Sequence, residues 1–260
     1  PAMRRAFQYY RLSAGGGLRQ QVPWLVRKLY GLLTMTSTTK KTTDTTMQAV
    51  KKALSSARMG TYETAAGSAD TVEALELYAW NAQVSAALLA PLHVCEVVIR
   101  NAVAEAIEVQ YGANWPWSTG FERSLPDPKF GYSPRKDLQS ARRSATTVGK
   151  VIPELKFVFW QKMFTVRYDQ RLWDTHLRLA LPNLDPAKSV SALRLQIYNE
   201  LEQIRTLRNR IAHHEPIFAR NLADDFQKIT DLIALRCAVT ADWMVNNQHA
   251  LALITTRPAP

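Results

Sequence analysis

An arginine, an asparagine and a histidine occur close together in the segment 207–216, whose sequence is LRNRIAHHEP. If this segment is helical, Asn209 and His213 are four residues apart and lie on one face, about one turn from each other. Arg208 precedes His213 by five residues, roughly 140° around the helix, so its long side chain must supply the reach. One helix therefore presents these groups loosely, and two copies meeting across an interface would present them better.

These residue types are suited to cleaving RNA without a metal. Attack by the RNA's own 2′-hydroxyl needs a base for that hydroxyl, an acid for the leaving 5′-oxygen and positive charge near the phosphorane. Histidine suits the proton transfers because its unperturbed side-chain pKa is about 6.5. Arginine keeps its charge and donates two hydrogen bonds at once. We therefore predict catalytic roles for Arg208, Asn209 and His213, with Asn209 hydrogen-bonded to the imidazole and a 2′,3′-cyclic phosphate as product.

The same segment permits a simpler interpretation. Arginine and histidine near a helix C-terminus complement the helix dipole, so the segment could be a solvated basic helix end. His214 is predicted to support the site rather than to act as a second catalyst, because adjacent helical residues do not share a face. No metal site is expected at 213–215, since the spacing matches no common ligand pattern, and no cofactor is expected.

The charge of the chain is unevenly distributed. Its net charge is +11, of which residues 1–34 supply +6 without a single acidic residue. The moderately basic remainder is compatible with an RNA partner. No stretch reaches the ~18 uninterrupted apolar residues of a membrane helix, so no membrane span is predicted. Cys95 and Cys237 lack metal-type spacing and are predicted to be buried free thiols of a cytoplasmic protein.

The chain is predicted to contain three segments. Residues 1–34 are expected to be upstream sequence or a disordered leader, because they are arginine-rich, acid-free and different in composition from the rest of the chain. Residues 35–68 form a polar N-terminal segment, with a short helix over Met47–Arg58 that ends before Gly60. Residues 69–257 form one helical domain.

The domain is predicted to be all-α, because helical spacing dominates and no alternating strand pattern of useful length is present. Thr71 should cap a long helix that Pro91 breaks or kinks before it continues to about Gln110. The stretch Tyr111–Gly131 is predicted to be an irregular connector, after which Ser133–Pro134 opens another helix. Further helices are predicted over 152–166 and 170–180, from Asn221 to Leu235, and from Thr240 onward.

The predicted helix over about 188–214 carries the segment described first. Its apolar residues recur at intervals of three and four, and Pro216 comes just after its end. Polar residues form a continuous stripe on another face of this helix: Glu202, Arg205, Asn209 and His213. Arg205 is therefore predicted to support the candidate catalytic residues.

The sequence RNRIAHHEP resembles the R-x4-H signature of the HEPN superfamily, in the form typical of its Abi-like (abortive infection) branch. The likeness covers roughly residues 70–245. Further features that resemble this branch are Trp80-Asn81, Glu96–Asn101, Phe159-Trp160 and the stretch Trp173–Asn183. The resemblance implies a HEPN-type helical bundle, here with an additional N-terminal helical region. It also implies a metal-independent endoribonuclease whose paired motifs line a cleft between two HEPN units.

One chain carries one such motif, which favours a homodimer. Arg100-Asn101 imitates the start of the motif, but Glu105 stands where histidine would be needed. Glu96 and Arg100 are four residues apart in the order that favours a helical ion pair, and we predict that they support the site.

Weaker RNA contacts are predicted for three more residues. Arg210 adds positive charge inside the motif, and Trp115 and Trp117 occupy the irregular connector, where their rings could stack on bases.

The resemblance implies phage defence or toxin–antitoxin growth arrest in a bacterial cytoplasm, with a separate antitoxin or regulatory chain. Glu215 stands where HEPN toxins silenced by tyrosine adenylylation have a tyrosine, so that form of regulation is not expected. Two alternatives stay open. The cleft could bind RNA or a nucleotide without catalysis, or the protein could be a helical dimeric scaffold for a partner protein.

Overall fold

The computed structural model describes residues 37–67 and 71–258, and side chains from residue 45 onward except that of Thr71. The predicted leader, 1–34, lies outside the described residues. The described part is 76% helical and contains no strand, which confirms the all-α class. Its helices are α1 (Ser37–Leu54), α2 (Ser56–Ala66), α3 (Thr71–Tyr111), α4 (Thr119–Ser124), α5 (Pro134–Ala141), α6 (Val148–Glu154), α7 (Phe157–Lys162), α8 (Asp174–Ala180), α9 (Val190–Ala212), α10 (Leu222–Arg236), α11 (Ala238–Asn246) and α12 (Ala250–Thr255).

The N-terminal segment is more helical than its sequence predicts. The boundary between α1 and α2 falls at Ser55, whose φ of 75° interrupts the helix and whose hydroxyl accepts a hydrogen bond from the backbone N–H of Arg58. Gly60, predicted to follow a helix end, lies inside α2. The predicted helix Met47–Arg58 is therefore wrong in both limits, because the interruption depends on the conformation of one serine. The chain divides into two compact units between Glu76 and Leu77, within α3.

Helix α3 begins at Thr71, one residue before the start that a cap at Thr71 predicts, and runs without interruption through Pro91 to Tyr111. The predicted break at Pro91 does not occur. By length and composition, the segment Val72–Tyr111 could cross a membrane, with a mean hydropathy of 1.7 over its most apolar window, of which 33% is buried. The core helix of a soluble protein passes the same test, so the apolar character alone does not indicate a membrane span.

Helix α9 packs against α7, α8 and α10 within the larger unit. Its predicted apolar stripe is buried, as its helical spacing requires: Leu193, Ile197, Leu201, Ile204, Leu207 and Ile211. Ser189 caps its first turn by accepting a hydrogen bond from the backbone N–H of Ala192. The predicted caps Ser133 and Asn221 are confirmed at α5 and α10. The prediction for Thr240 is wrong, since α11 begins at Ala238.

The predicted connector Tyr111–Gly131 contains a 3₁₀ turn (Trp115–Trp117) and α4. Two of its aromatic residues, Trp115 and Phe121, are fully buried and pack edge-on with ring centroids 5.3 Å apart, and the centroids of Trp115 and Trp160 are 6.4 Å apart. Trp115 and Phe121 therefore anchor the connector in the core, while Trp117 and Phe130 are exposed, at 39% and 91%.

The two cysteines differ in burial. Cys95 is fully buried, and this burial, with the nearby carboxylates of Glu96 and Glu200, raises the pKa of its thiol to about 12. Cys237 is partly exposed, and its hydrogen bonds with Thr240 lower the pKa of its thiol. The prediction of burial is confirmed for Cys95 and wrong for Cys237.

Candidate functional site

The three predicted catalytic residues lie at the C-terminal end of α9. Arg208 and His213 are exposed, and Asn209 is half-buried. Their side chains form no hydrogen bond or ion pair with any other described residue. The predicted hydrogen bond between the Asn209 side chain and the imidazole is not formed; the bond between these residues joins the backbone N–H of His213 to the carbonyl oxygen of Asn209, at 2.9 Å. The guanidinium, amide and imidazole are thus all available to a ligand.

The end of α9 is a tight turn built on two histidines. The backbone N–H of His214 donates to the carbonyl oxygen of Ile211 at 3.0 Å, and that of Glu215 donates to that of Arg210 at 2.8 Å. This pair of bonds defines a Schellman motif, whose left-handed position is most often glycine. Here His214 occupies it with a φ of 55°, at a cost of about 1–2 kcal/mol. His214 therefore has a role in the turn that its sequence position does not reveal.

Arg210 stabilises this turn. Its guanidinium donates from Nε and Nη2 to the carbonyl oxygen of Pro216, at 3.1 and 2.8 Å, and forms an ion pair with Glu215 at 3.6 Å. Two N–H groups of Arg210, on Nε and Nη2, are thus engaged by the protein itself. Arg208, two residues earlier, is exposed and makes no such bond to another residue of the described chain.

Arg205 belongs to a polar network between α7 and α9. Its guanidinium donates to Gln161 Oε1 at 3.0 Å and to Glu202 Oε1 at 2.5 Å, and Gln161, fully buried, donates to the second oxygen of Glu202. Burial acts to raise the pKa of Glu202, but the hydrogen bonds from Gln161 and Arg205 outweigh it and lower that pKa. Arg205 thus links the polar stripe of α9 to α7, one turn before Asn209. Sequence reasoning missed Gln161, because its partners lie about 40 residues away.

Among the described residues, Glu96 and Arg100 do not form the predicted ion pair. Arg100 Nε is buried and has no hydrogen-bond partner there. Glu96 instead contributes to the electrostatic environment of Cys95. The two residues therefore do not support each other as their spacing predicted.

The prediction for Trp115 is corrected. Its side chain is fully buried, with 0% exposure, so its ring cannot stack on a base. The adjacent Pro116 is also buried, whereas Trp117 is 39% exposed and keeps the predicted possibility of base stacking.

Asn81 contributes to the site region in a way the sequence only hinted at. Its side-chain Oδ1 accepts a buried hydrogen bond of 2.8 Å from the backbone N–H of Ile217, four residues after His213. The available signal was a polar residue within the strongly apolar pattern of α3. Its partner, 136 residues away, could not be identified from spacing.

No cluster of three or more potential metal ligands occurs among the residues that the structure describes. The chain matches no family model, no curated protein and no solved structure.

Proposed function

We propose that this protein is a homodimeric, metal-independent endoribonuclease of the HEPN type. The observation that carries the proposal is that some polar side chains of α9 bond to the protein itself and others do not. Arg205 and Arg210 are engaged by the protein, whereas Arg208, Asn209 and His213 offer unengaged polar groups at the exposed end of the same helix. The residues that match the R-x4-H signature are thus the available ones.

The proposed reaction is an internal transesterification. One His213 imidazole removes the proton of the 2′-hydroxyl, the 2′-oxygen attacks phosphorus, and the bond from phosphorus to the 5′-oxygen breaks. The His213 of a second copy, in its protonated form, donates a proton to the 5′-oxygen. Arg208 stabilises the charge on the phosphorane through its planar guanidinium. Asn209 forms a hydrogen bond with the RNA or with the imidazole once RNA is bound. The products are a 2′,3′-cyclic phosphate and a 5′-hydroxyl.

The decisive experiment is incubation of total RNA and tRNA with the protein, with and without EDTA, followed by mapping of fragment ends. We expect equal cleavage in both conditions, with cyclic-phosphate 3′ ends, because the residues at the site supply acid, base and positive charge. A His213→Ala protein purified in parallel controls for contaminating nuclease. Cleavage that requires a divalent metal would refute the mechanism. Binding of RNA without cleavage would support the non-catalytic alternative.

The proposed dimer needs an interface, and we propose that exposed apolar residues of α3 form it. Four exposed apolar residues of α3 form a stripe: Ala82, Ala86, Leu89 and Ala90. The stripe begins beside Asn81, whose side chain bonds to Ile217 in the segment after the motif. Leu89 is 49% exposed there. A second copy on this stripe would cover apolar surface close to the segment after each motif.

Leu89→Glu is expected to weaken self-association by at least about 100-fold, because an unpaired buried carboxylate costs several kcal/mol. Sedimentation equilibrium measures the effect, and cleavage should fall in parallel. Val109→Glu is the matched control, since Val109 lies on the same helix, is 71% exposed and is remote from Asn81 along the helix. Unchanged dimerisation of Leu89→Glu would exclude this stripe as the interface.

The resemblance to the Abi-like branch supports a role in phage defence or in toxin–antitoxin growth arrest, with a separate chain restraining the enzyme. This part of the proposal rests on family likeness alone.

A further inference from the structure

The peptide group between Pro216 and Ile217 is held from both sides. Its carbonyl oxygen accepts two hydrogen bonds from Arg210, at 3.1 and 2.8 Å. Its N–H donates to Asn81 Oδ1 at 2.8 Å, in a buried bond. We call this arrangement the peptide clamp. It ties the segment after the motif to α9 through Arg210 and to α3 through Asn81.

The clamp lies directly after the turn that carries the proposed catalytic histidine. Only His214 and Glu215 separate His213 from Pro216, and His214 has the left-handed conformation described above. A non-glycine residue keeps such a conformation when its surroundings determine it. The Schellman bonds fix one end of this turn, and the clamp fixes the other.

Asn81 is buried, with 5% exposure, on a face of α3 whose neighbouring buried residues, such as Trp80 and Val84, are hydrophobic. A buried amide is retained at low cost only when it is hydrogen-bonded, and the N–H of Ile217 satisfies its oxygen. Deleting that acceptor would leave a buried backbone N–H without a partner and release the segment from α3.

We propose that Asn81 is a positioning residue for the active site, acting through the peptide clamp on the turn that holds His213. The inference rests on the proposed function. Displacing a reacting group by about 1 Å can cost about 100-fold in rate. A clamp that only two residues separate from His213 therefore controls catalysis without touching RNA.

The test compares Asn81→Leu, which removes the acceptor at similar volume, with Asn81→Asp, which keeps one. Gln110→Leu is the matched control, because Gln110 is exposed, lies near the other end of the same helix and is remote from the proposed dimer stripe. Three measurements are made: amide hydrogen exchange at Ile217 and Glu215, the NMR signal of the His213 imidazole, and kcat and KM for RNA cleavage.

For Asn81→Leu we expect Ile217 exchange to accelerate at least about 10-fold, the His213 imidazole signal to move, and kcat to fall about 10- to 100-fold with little change in KM. Asn81→Asp should restore most of the protection and of kcat. Gln110→Leu should resemble the wild type in every measurement. If Asn81→Leu does not fold, Arg210→Ala opens the clamp from its other side and is judged by the same three measurements.

Unchanged exchange at Ile217 would show that the clamp is not formed in solution. Lost protection with an unmoved imidazole signal and wild-type kcat would overturn the positioning role. If the wild type does not cleave RNA, the proposed function fails, while the exchange rates and the imidazole signal still decide whether Asn81 positions the His213 turn.

Discussion

Replacement of His213 by alanine is expected to lower RNA cleavage by about 100- to 10,000-fold, the range for losing a general acid or base, and each dimer loses both histidines. The unfolding temperature should stay unchanged. His213 is exposed, and its side chain makes no hydrogen bond or ion pair to another described residue. Removing it therefore leaves no buried group without a partner. Cleavage rates and a thermal melt on the same preparation test both parts.

The neighbouring histidine provides the control. His214→Gly should keep most of the cleavage activity, because glycine adopts the left-handed conformation that position 214 requires. A loss of activity in His214→Gly as large as in His213→Ala would contradict the assignment of one catalytic histidine per chain. A drop of several degrees in the melting temperature of His213→Ala would instead indicate that His213 serves to stabilise the end of the helix.

Arg208 and Arg210 are expected to differ in their effect on stability, although only one residue separates them. Arg208→Ala should lower kcat/KM at least about 100-fold without changing stability, because its guanidinium is exposed and makes no hydrogen bond or ion pair to another described residue. Arg208→Lys should recover little, since an ammonium group cannot donate two parallel hydrogen bonds to a phosphate.

Arg210→Ala, besides opening the peptide clamp, should lower the free energy of unfolding by about 1 kcal/mol, because the carbonyl oxygen of Pro216 loses its donors. Arg210 is only half-buried, which keeps this loss small. For a chain of this size the melting temperature should fall by about 2–4 °C. A stability loss in Arg208→Ala, or its absence in Arg210→Ala, would contradict the roles drawn from the contacts.

The parts of the fold that depend on local patterns could be predicted. The apolar spacing of α9 and the caps Ser133 and Asn221 depend on residues within one or two turns. The all-α class results from the same spacing repeated along the chain.

Features set by distant contacts could not be predicted. The local sequence around Trp115, with its prolines and glycines, predicts a surface loop, yet Phe121 and Trp160 enclose its ring. Pro91 does not interrupt α3, although its local preference is to end a helix. At the candidate site, the residue types were evident from sequence, but the separate roles of Arg208 and Arg210 depend on the position of the Pro216 carbonyl.

Adjacent residues of α3 bond to parts of the chain that are synthesised much later. The side chain of Asn81 accepts its hydrogen bond from Ile217, which lies 136 residues later in the chain. The indole N–H of Trp80 donates to the carbonyl oxygen of Leu253, 173 residues later, at 2.7 Å. Contacts of such sequence separation are slow to form, because long loops must close first. A nascent chain can build α3 and even α9 before either bond exists. For the proposed ribonuclease, the order of synthesis thus postpones competence until the chain has been made through Ile217 and Leu253.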